Sequence, residues 1–254
     1  MKDQFSLLGK TAVITGGSRG IGKAIAEEFI QRGANIAIAG RDQSSLSKVA
    51  DELKYHDAGI SIHSLDVSDS AAVELFKNDV LSTHGKVDIL VNNAGISPVY
   101  MSTERIKDED WQKLVNVNLG GVFNCSRTFG LAMLENQSGS IINISSIAGH
   151  VGLAKQAAYA ATKGGVEQLT KGMALDWANK GIRVNAIAYG FVETDLTQGL
   201  RAHETLSKRL LDKTPMGRFA RIEETTGAAV FLASNASSYV TGSSIIVDGG
   251  WTAE

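Results

Sequence analysis

Thr15-Gly16-Gly17-Ser18-Arg19-Gly20-Ile21-Gly22 lies between an apolar run, residues 11–15, and a helical apolar pattern over residues 21–32. The run predicts a strand and the pattern a helix, so the glycines occupy a strand-to-helix turn. Glycine there permits a tight turn, close approach of a ligand to the backbone, and close packing of helix on strand. The first turn of the helix presents N–H groups without carbonyl partners, which suit a pyrophosphate. A glycine-rich turn can be purely structural, but this one has the context that nucleotide binding requires. No Gly-Lys-Ser/Thr follows, so ATP is disfavoured.

Outward from the turn, further strands are predicted at 35–39, 61–65, 89–92, 140–145, 183–187 and 244–247. Helices are predicted at 43–55, 70–83, 108–135, 159–180 and 198–213. Runs such as Ile36-Ala37-Ile38-Ala39 are continuously apolar, as strands buried on both faces require. The alternation predicts an α/β fold: one Rossmann-type domain over residues 1–254, with a doubly wound, seven-stranded parallel sheet and helices on both faces. Its site belongs at the strand C-termini. No repeat or low-complexity linker interrupts this order, and neither Pro98 nor Pro215 sits in linker-like composition.

Lys plus Arg number 25 against 27 Asp plus Glu, which leaves no electrostatic footprint for nucleic acid and no polybasic membrane patch. Apolar residues make up 43% of the chain, enough for a globular core. The single cysteine, Cys125, reads as a packed thiol. MKDQFSLLGK has no secretory apolar region and no run reaches transmembrane length, so a cytoplasmic location is expected.

The end of the second strand selects the nucleotide. Ala39-Gly40-Arg41-Asp42 places a cation where an NAD site carries an acid, and Arg41 with Arg19 could flank a 2′-phosphate. The other reading makes both arginines surface residues and gives the ribose to Asp42. NADP(H) is the preferred cofactor, with NAD(H) possible. Asp66-Val67 after the third strand reads equally as an adenine contact or, at Asp66, a helix cap. Asn92-Asn93-Ala94-Gly95 closes the fourth strand at the same edge, where its asparagines could also serve the turn alone.

Ser145 and Ser146 end the fifth strand, and Tyr159 and Lys163 stand at i and i+4 on the following helix. Ketone reduction needs a proton donor at the developing alkoxide. A tyrosine with its ordinary pKa of ~10 is too weak an acid near neutrality, and an adjacent ammonium would lower that value. Ser146 can donate to the same oxygen. A packed tyrosine beside a snorkelling lysine is the structural alternative.

With these motifs in order, the chain resembles the short-chain dehydrogenase/reductase family over essentially its whole length. TGGSRGIG looks like the cofactor turn, so Gly16, Ser18, Arg19, Gly20, Ile21 and Gly22 are expected at the cofactor. The same expectation covers Arg41, Asp66, Val67, Asn92, Ala94 and Gly95. INISSIAG and YAATK resemble the catalytic motifs, which implies that Tyr159 is the acid/base and that Ser146 orients and polarises the carbonyl. Lys163 would lower the tyrosine pKa and hold the nicotinamide ribose, where Tyr159 also lies. Asn118 in VNVNLGG would hold a helix carbonyl and water in a proton relay. Family members use no metal, and no zinc-like cluster is visible among His56, His63, His84, His150 and His203.

One departure from the family pattern is Tyr189-Gly190 where Pro-Gly is usual. It is expected to loosen a turn near the nicotinamide and set an aromatic there, with Gly190, Val192 and Thr194 still contacting the cofactor. The resemblance makes residues 191–215 a substrate lid. Ser97, Pro98, Val99, His150, Gln156, Tyr189, Glu193 and Leu196 are candidate pocket residues, mostly neutral, with no convergent arginine cluster. Two branches of the family look nearest: sugar or sugar-acid dehydrogenases of the gluconate 5-dehydrogenase type, and 3-oxoacyl-carrier-protein reductases. The expected substrate is a small carbonyl or alcohol, from a sugar, sugar acid or polyol. A non-catalytic nucleotide-binding protein is the remote alternative. The resemblance also implies a homotetramer.

Overall fold

The computed structural model describes residues 3–54 and 58–253. The predicted end of the second helix at Tyr55, and His56, lie outside the described residues. Among the described residues seven strands form one sheet: β1 (Thr11–Thr15), β2 (Asn35–Gly40), β3 (Ile60–Ser64), β4 (Ile89–Asn92), β5 (Gly139–Ser146), β6 (Ile182–Tyr189) and β7 (Ser244–Val247). Every pairing is parallel, in the order β3-β2-β1-β4-β5-β6-β7. The order reverses at β1, and the crevice between β1 and β4 opens at their C-terminal ends.

Alternation within each strand builds the two core layers. Ala12, Ile14, Ile36 and Ile38 face one side, with α1 (Gly20–Gln31) and α2 (Gln43–Leu53). Val13, Ala37 and Ala39 face the other, with α3 (Ser70–His84). The continuous apolar strands thus serve both faces. Across the middle of the sheet runs a buried polar chain: Asn92 Nδ2 donates to Ser126 Oγ and Asn143 Oδ1, each at 2.8 Å, and Asn143 Nδ2 donates to Thr170 Oγ1 at 2.8 Å.

Two helical predictions need correction, and one helix was not predicted. The expected single helix over 108–135 is α4 (Asp108–Leu114) and α5 (Gly121–Glu135), joined by a π-helical stretch Val115–Gly120 that carries Asn118. A wider turn of this kind reorients one residue without breaking the helix, often at a functional site. After α6 (Ala157–Trp177), the expected helix over 198–213 is divided into α7 (Gln198–Ala202) and α8 (Glu204–Asp212). His203 adopts an extended conformation between them, and its Nδ1 accepts from Leu206 N at 3.4 Å as the cap of α8. α9 (Thr226–Ala233) was not predicted because TGAAVFLA lacks a polar face to reveal a period. It packs on the β1–β2 side as part of the core, with Ala229, Val230 and Leu232 buried.

Candidate active site

The Gly-rich turn and the β4 exit pack against each other and together line an open cavity of about 530 Å³. Gly16, Ser18, Arg19, Gly20 and Ile21 line one wall, Arg41, Asp66 and Val67 the next, and Ala94, Gly95 and Thr194 the rest. Gly16 has φ +66, and a Cβ there would lie 2.8 Å from Asn93 Nδ2 and 3.0 Å from Ala94 Cα. The turn is therefore closed to side chains and leaves its backbone facing the cavity. The N-terminus of α1 has no side-chain cap, which leaves its first N–H groups for an anion. An elongated cavity, an uncapped helix start and a cationic far end fit a phosphorylated dinucleotide.

Asp42 is not available to a ribose as freely as its position suggests. Its carboxylate caps α2, accepting from Ser44 N, Ser44 Oγ and Ser45 Oγ at 2.5 to 3.0 Å. The serine hydroxyls hold its pKa down to about 2. Arg41 stays on the cavity wall, and Arg19 reaches Asp195 at 3.6 Å across the mouth. The cap of α3 is Asp69, not Asp66. Asp66 instead accepts from Ser68 N and Oγ, which lower its pKa, with a smaller contribution from Arg41.

Not all expected cofactor residues reach the cavity wall. Asn92 is buried in the polar chain beneath it, because strand alternation turns its side chain into the core. Asn93 is the asparagine on the wall, its Nδ2 donating to the carbonyls of Thr15 and Gly16 at 3.0 Å. Gly22 acts through packing: a Cβ there would lie 2.4 Å from Gly16 O and Asn93 Nδ2. Gly190 likewise admits the β7 edge, since its Cβ would lie 2.8 Å from Asp248 Cα. Val192 is buried against Ala220.

Ser146 ends β5 opposite Tyr189, its Oγ accepting from Ala148 N at 3.1 Å, and Tyr159 stands in the first turn of α6, where the Ser146 hydroxyl favours its phenolate. Lys163 is buried one turn on, its Nζ donating to Ile144 O at 2.7 Å and lying 5.8 Å from the Tyr159 ring centroid. A Cβ on Gly95 would lie 3.5 Å from Asn118 Oδ1 and 3.9 Å from Lys163 Nζ, so the group adjoins the wall of the nucleotide cavity. Asn118 is fully buried and grips Ile96 twice, accepting from its N and donating to its O at 2.8 Å. Asn118, Ser146, Tyr159 and Lys163 are thus brought together.

At Tyr159, burial outweighs the lowering of the pKa expected from the lysine ammonium. Burial pushes the Tyr159 phenol up to about 12, against the Ser146 hydrogen bond. Burial also presses Lys163 down to about 8, against the negative charge of Glu167. The phenol accordingly keeps its proton through neutrality, as a donor to an alkoxide must. Glu167 is itself buried, with His150 Nε2 and Ser244 Oγ each 3.2 Å from its Oε1. His150 is therefore engaged beside the lysine.

Tyr189 does not crowd the nicotinamide end. Its ring is buried and its hydroxyl donates to Thr225 O, so it pegs the 3₁₀ turn Ile222–Thr225 before α9. Burial raises its pKa. Of the other pocket candidates, Leu196 lines the nucleotide cavity and Gln156 a smaller one of about 130 Å³ under α8. The sequence reading missed two cations of that smaller cavity, Arg209 and Lys213, although their i, i+4 spacing was visible.

A family profile described as enoyl-(acyl carrier protein) reductase matches residues 16–252. The chain is 39% identical over 246 residues to 3-oxoacyl-(acyl-carrier-protein) reductase FabG of Salmonella typhimurium, covering 97% of this chain and 98% of that one. It is 40% identical over 252 residues to 2-dehydro-3-deoxy-D-gluconate 5-dehydrogenase of Pseudoalteromonas atlantica, covering 99% of each. A crystal structure of a gluconate 5-dehydrogenase from Burkholderia cenocepacia, in complex with NADP and tartrate, superposes with a TM-score of 0.96. The identity there is 39%, covering 99% of this chain and 98% of that one.

Proposed function

The chain belongs to the short-chain dehydrogenase/reductase family, and from that premise we propose an NADP(H)-preferring enzyme that interconverts ketone and secondary alcohol in a sugar, sugar acid or polyol. Its class, an NAD(P)-dependent oxidoreductase acting on CH–OH groups, follows from the membership. The observation that carries the proposal is the meeting of Ser146, Tyr159 and Lys163 beside Gly95, where the nucleotide cavity ends.

Gly16, Ser18, Gly20 and Ile21 would hold the pyrophosphate and Arg41, with Arg19, the 2′-phosphate. NAD(H) is the alternative, disfavoured by the commitment of Asp42 to its helix cap. When bound along this cavity, a nicotinamide cofactor supplies the hydride for reduction or accepts it for oxidation. Ser146 donates to the substrate carbonyl and fixes its direction. Tyr159, protonated through neutrality, gives its proton to the oxygen as negative charge develops there. The Lys163 ammonium stabilises the phenolate left behind. Asn118 holds the Gly95–Ile96 wall in place through its two bonds to Ile96.

Similarity to the Salmonella typhimurium reductase supports a second reading, reduction of a 3-oxoacyl thioester. Purified protein assayed with NADPH and NADH against a 5-keto sugar acid and a short 3-oxoacyl thioester separates them. The proposal expects turnover of the keto acid with NADPH and little of the thioester. Turnover of the thioester alone would establish the second reading, and binding of NADPH without turnover of either would leave a non-catalytic nucleotide-binding protein. A homotetramer is part of the proposal, supported by exposed apolar residues on α5 (Leu131, 55% exposed), α6 (Leu175, 84%) and β7 (Ile246, 44%).

A further inference from the structure

The smaller cavity, of about 130 Å³, lies between α8 and the segment that precedes α6. Gly152, Leu153, Ala154 and Gln156, in the segment that leads into Tyr159, form one side, and Phe191, two residues past the strand partner of Ser146, another. Leu206, Arg209 and Leu210 of α8 roof it. It is well below the roughly 300–1,000 Å³ of pockets for drug-sized ligands, so its occupant is a compact group.

Its charge is one-sided. Arg209 and Lys213, one helical turn apart, line the cavity together. The Lys213 ammonium lies 5.7 Å from the centroid of Trp251, a wall residue. A third cation, Lys155, lies 5.6 Å from the centroid of Tyr100 on the same wall. Among the described residues none of the three has a carboxylate within ion-pair distance. The nearest acid on the helix, Asp212, is taken by Lys208 at 2.9 Å, and Arg218 is taken by Glu224 at 2.7 Å. No acid lines the cavity. Lys155 also has φ +64, a conformation that L residues seldom adopt, and its carbonyl is tied by Met101 N at 3.1 Å. Such outliers persist where the surroundings hold them, often at binding sites.

We propose that this cavity binds the carboxylate end of a small polyhydroxy keto acid, with Arg209 forking the carboxylate and Lys213 and Lys155 supplying further positive charge. The inference rests on the carbohydrate reading above and narrows it from sugars and polyols in general to sugar acids. A planar guanidinium matches a carboxylate with two parallel hydrogen bonds, and the unpaired ammonium groups deepen the attraction. The aromatic wall of Tyr100, Phe191 and Trp251 presents apolar faces to the C–H side of the carbon chain, while the carbonyl is left toward Ser146 and Tyr159.

The test pairs a 5-keto sugar acid with an uncharged ketohexose, using NADPH and wild-type protein alongside Arg209→Met/Lys213→Met. Wild type is expected to favour the acid in kcat/KM by about 100-fold, a preference that weakens as salt is raised. In the double variant that preference falls at least about tenfold, mainly through KM for the acid, and Arg209→Lys recovers part of it. Equal use of acid and ketohexose by wild type, or equal losses on both in the variant with NADPH affinity intact, would overturn the subsite and leave the carbohydrate reading standing. Reduction of the 3-oxoacyl thioester with neither sugar turned over would overturn both. A fold defect in the double variant would appear as lost NADPH affinity, in which case the single variant Arg209→Gln carries the same comparison.

Discussion

Lys163 and Tyr159 are driven apart in acidity by the same burial, which favours the neutral form of each. The phenol is pushed up to about 12 and the ammonium down to about 8. Ketone reduction needs a protonated phenol and a charged lysine, so kcat/KM for reduction is expected to hold through neutrality and decline as pH passes about 8. Glu167 opposes the lysine's loss of charge from one turn along α6, held by Ser244 and beside His150. Removing its charge lowers the lysine further, so Glu167→Gln is expected to begin that decline at lower pH, and Glu167→Asp to move it back. A pH profile identical to wild type would show that Glu167 does not act through Lys163. At the other end of the site, Arg41→Ala is expected to raise KM for NADPH by about tenfold or more and change KM for NADH little. An equal rise for both nucleotides would remove Arg41 from the 2′-phosphate.

At the scale of elements, the turn between β1 and α1 works because two backbones meet where a side chain would not fit. Gly22→Ala puts a carbon 2.4 Å from Gly16 O, and is expected to cost about 1–3 kcal/mol of stability and to weaken NADPH binding. Gly227→Ala, exposed near the start of α9 with nothing within 4 Å, is expected to stabilise by about 0.5–1 kcal/mol. Thermal unfolding of the two variants should therefore move in opposite directions, and a fall for both would contradict this packing. The strands and the cofactor turn were legible in sequence because both-face burial writes a continuous apolar run, and the turn demands glycine. α9 was illegible for the opposite reason, an apolar composition without a period. The π-helical stretch at Asn118 goes with a tertiary contact to Ile96 and leaves no local signature, while the break at His203 rests on an unusual cap, an imidazole accepting from Leu206 N. Tyr189 looked like an obstruction because the sequence does not say which side of β6 it faces; its hydroxyl finds Thr225 on the α9 side.

For the whole molecule, the proposed tetramer would cover exposed apolar side chains on α5, α6 and β7. Light scattering is expected to give four chains, and Leu131→Glu with Leu175→Glu to give smaller species; a wild-type monomer would contradict the proposed tetramer. The nucleotide cavity adjoins Lys163 and Asn118 at Gly95, and the proposed substrate cavity under α8 is lined by Gln156, three residues before Tyr159. That arrangement makes the Tyr159 hydroxyl dispensable for holding the nucleotide and indispensable for turnover. The most direct measurement is therefore NADPH affinity, by fluorescence titration, beside kcat for keto-acid reduction in Tyr159→Phe. Affinity is expected to stay within a few-fold of wild type and kcat to fall by about 10²–10⁴-fold. Turnover near the wild-type rate in that variant would contradict this role of Tyr159, because the proton would then come from elsewhere.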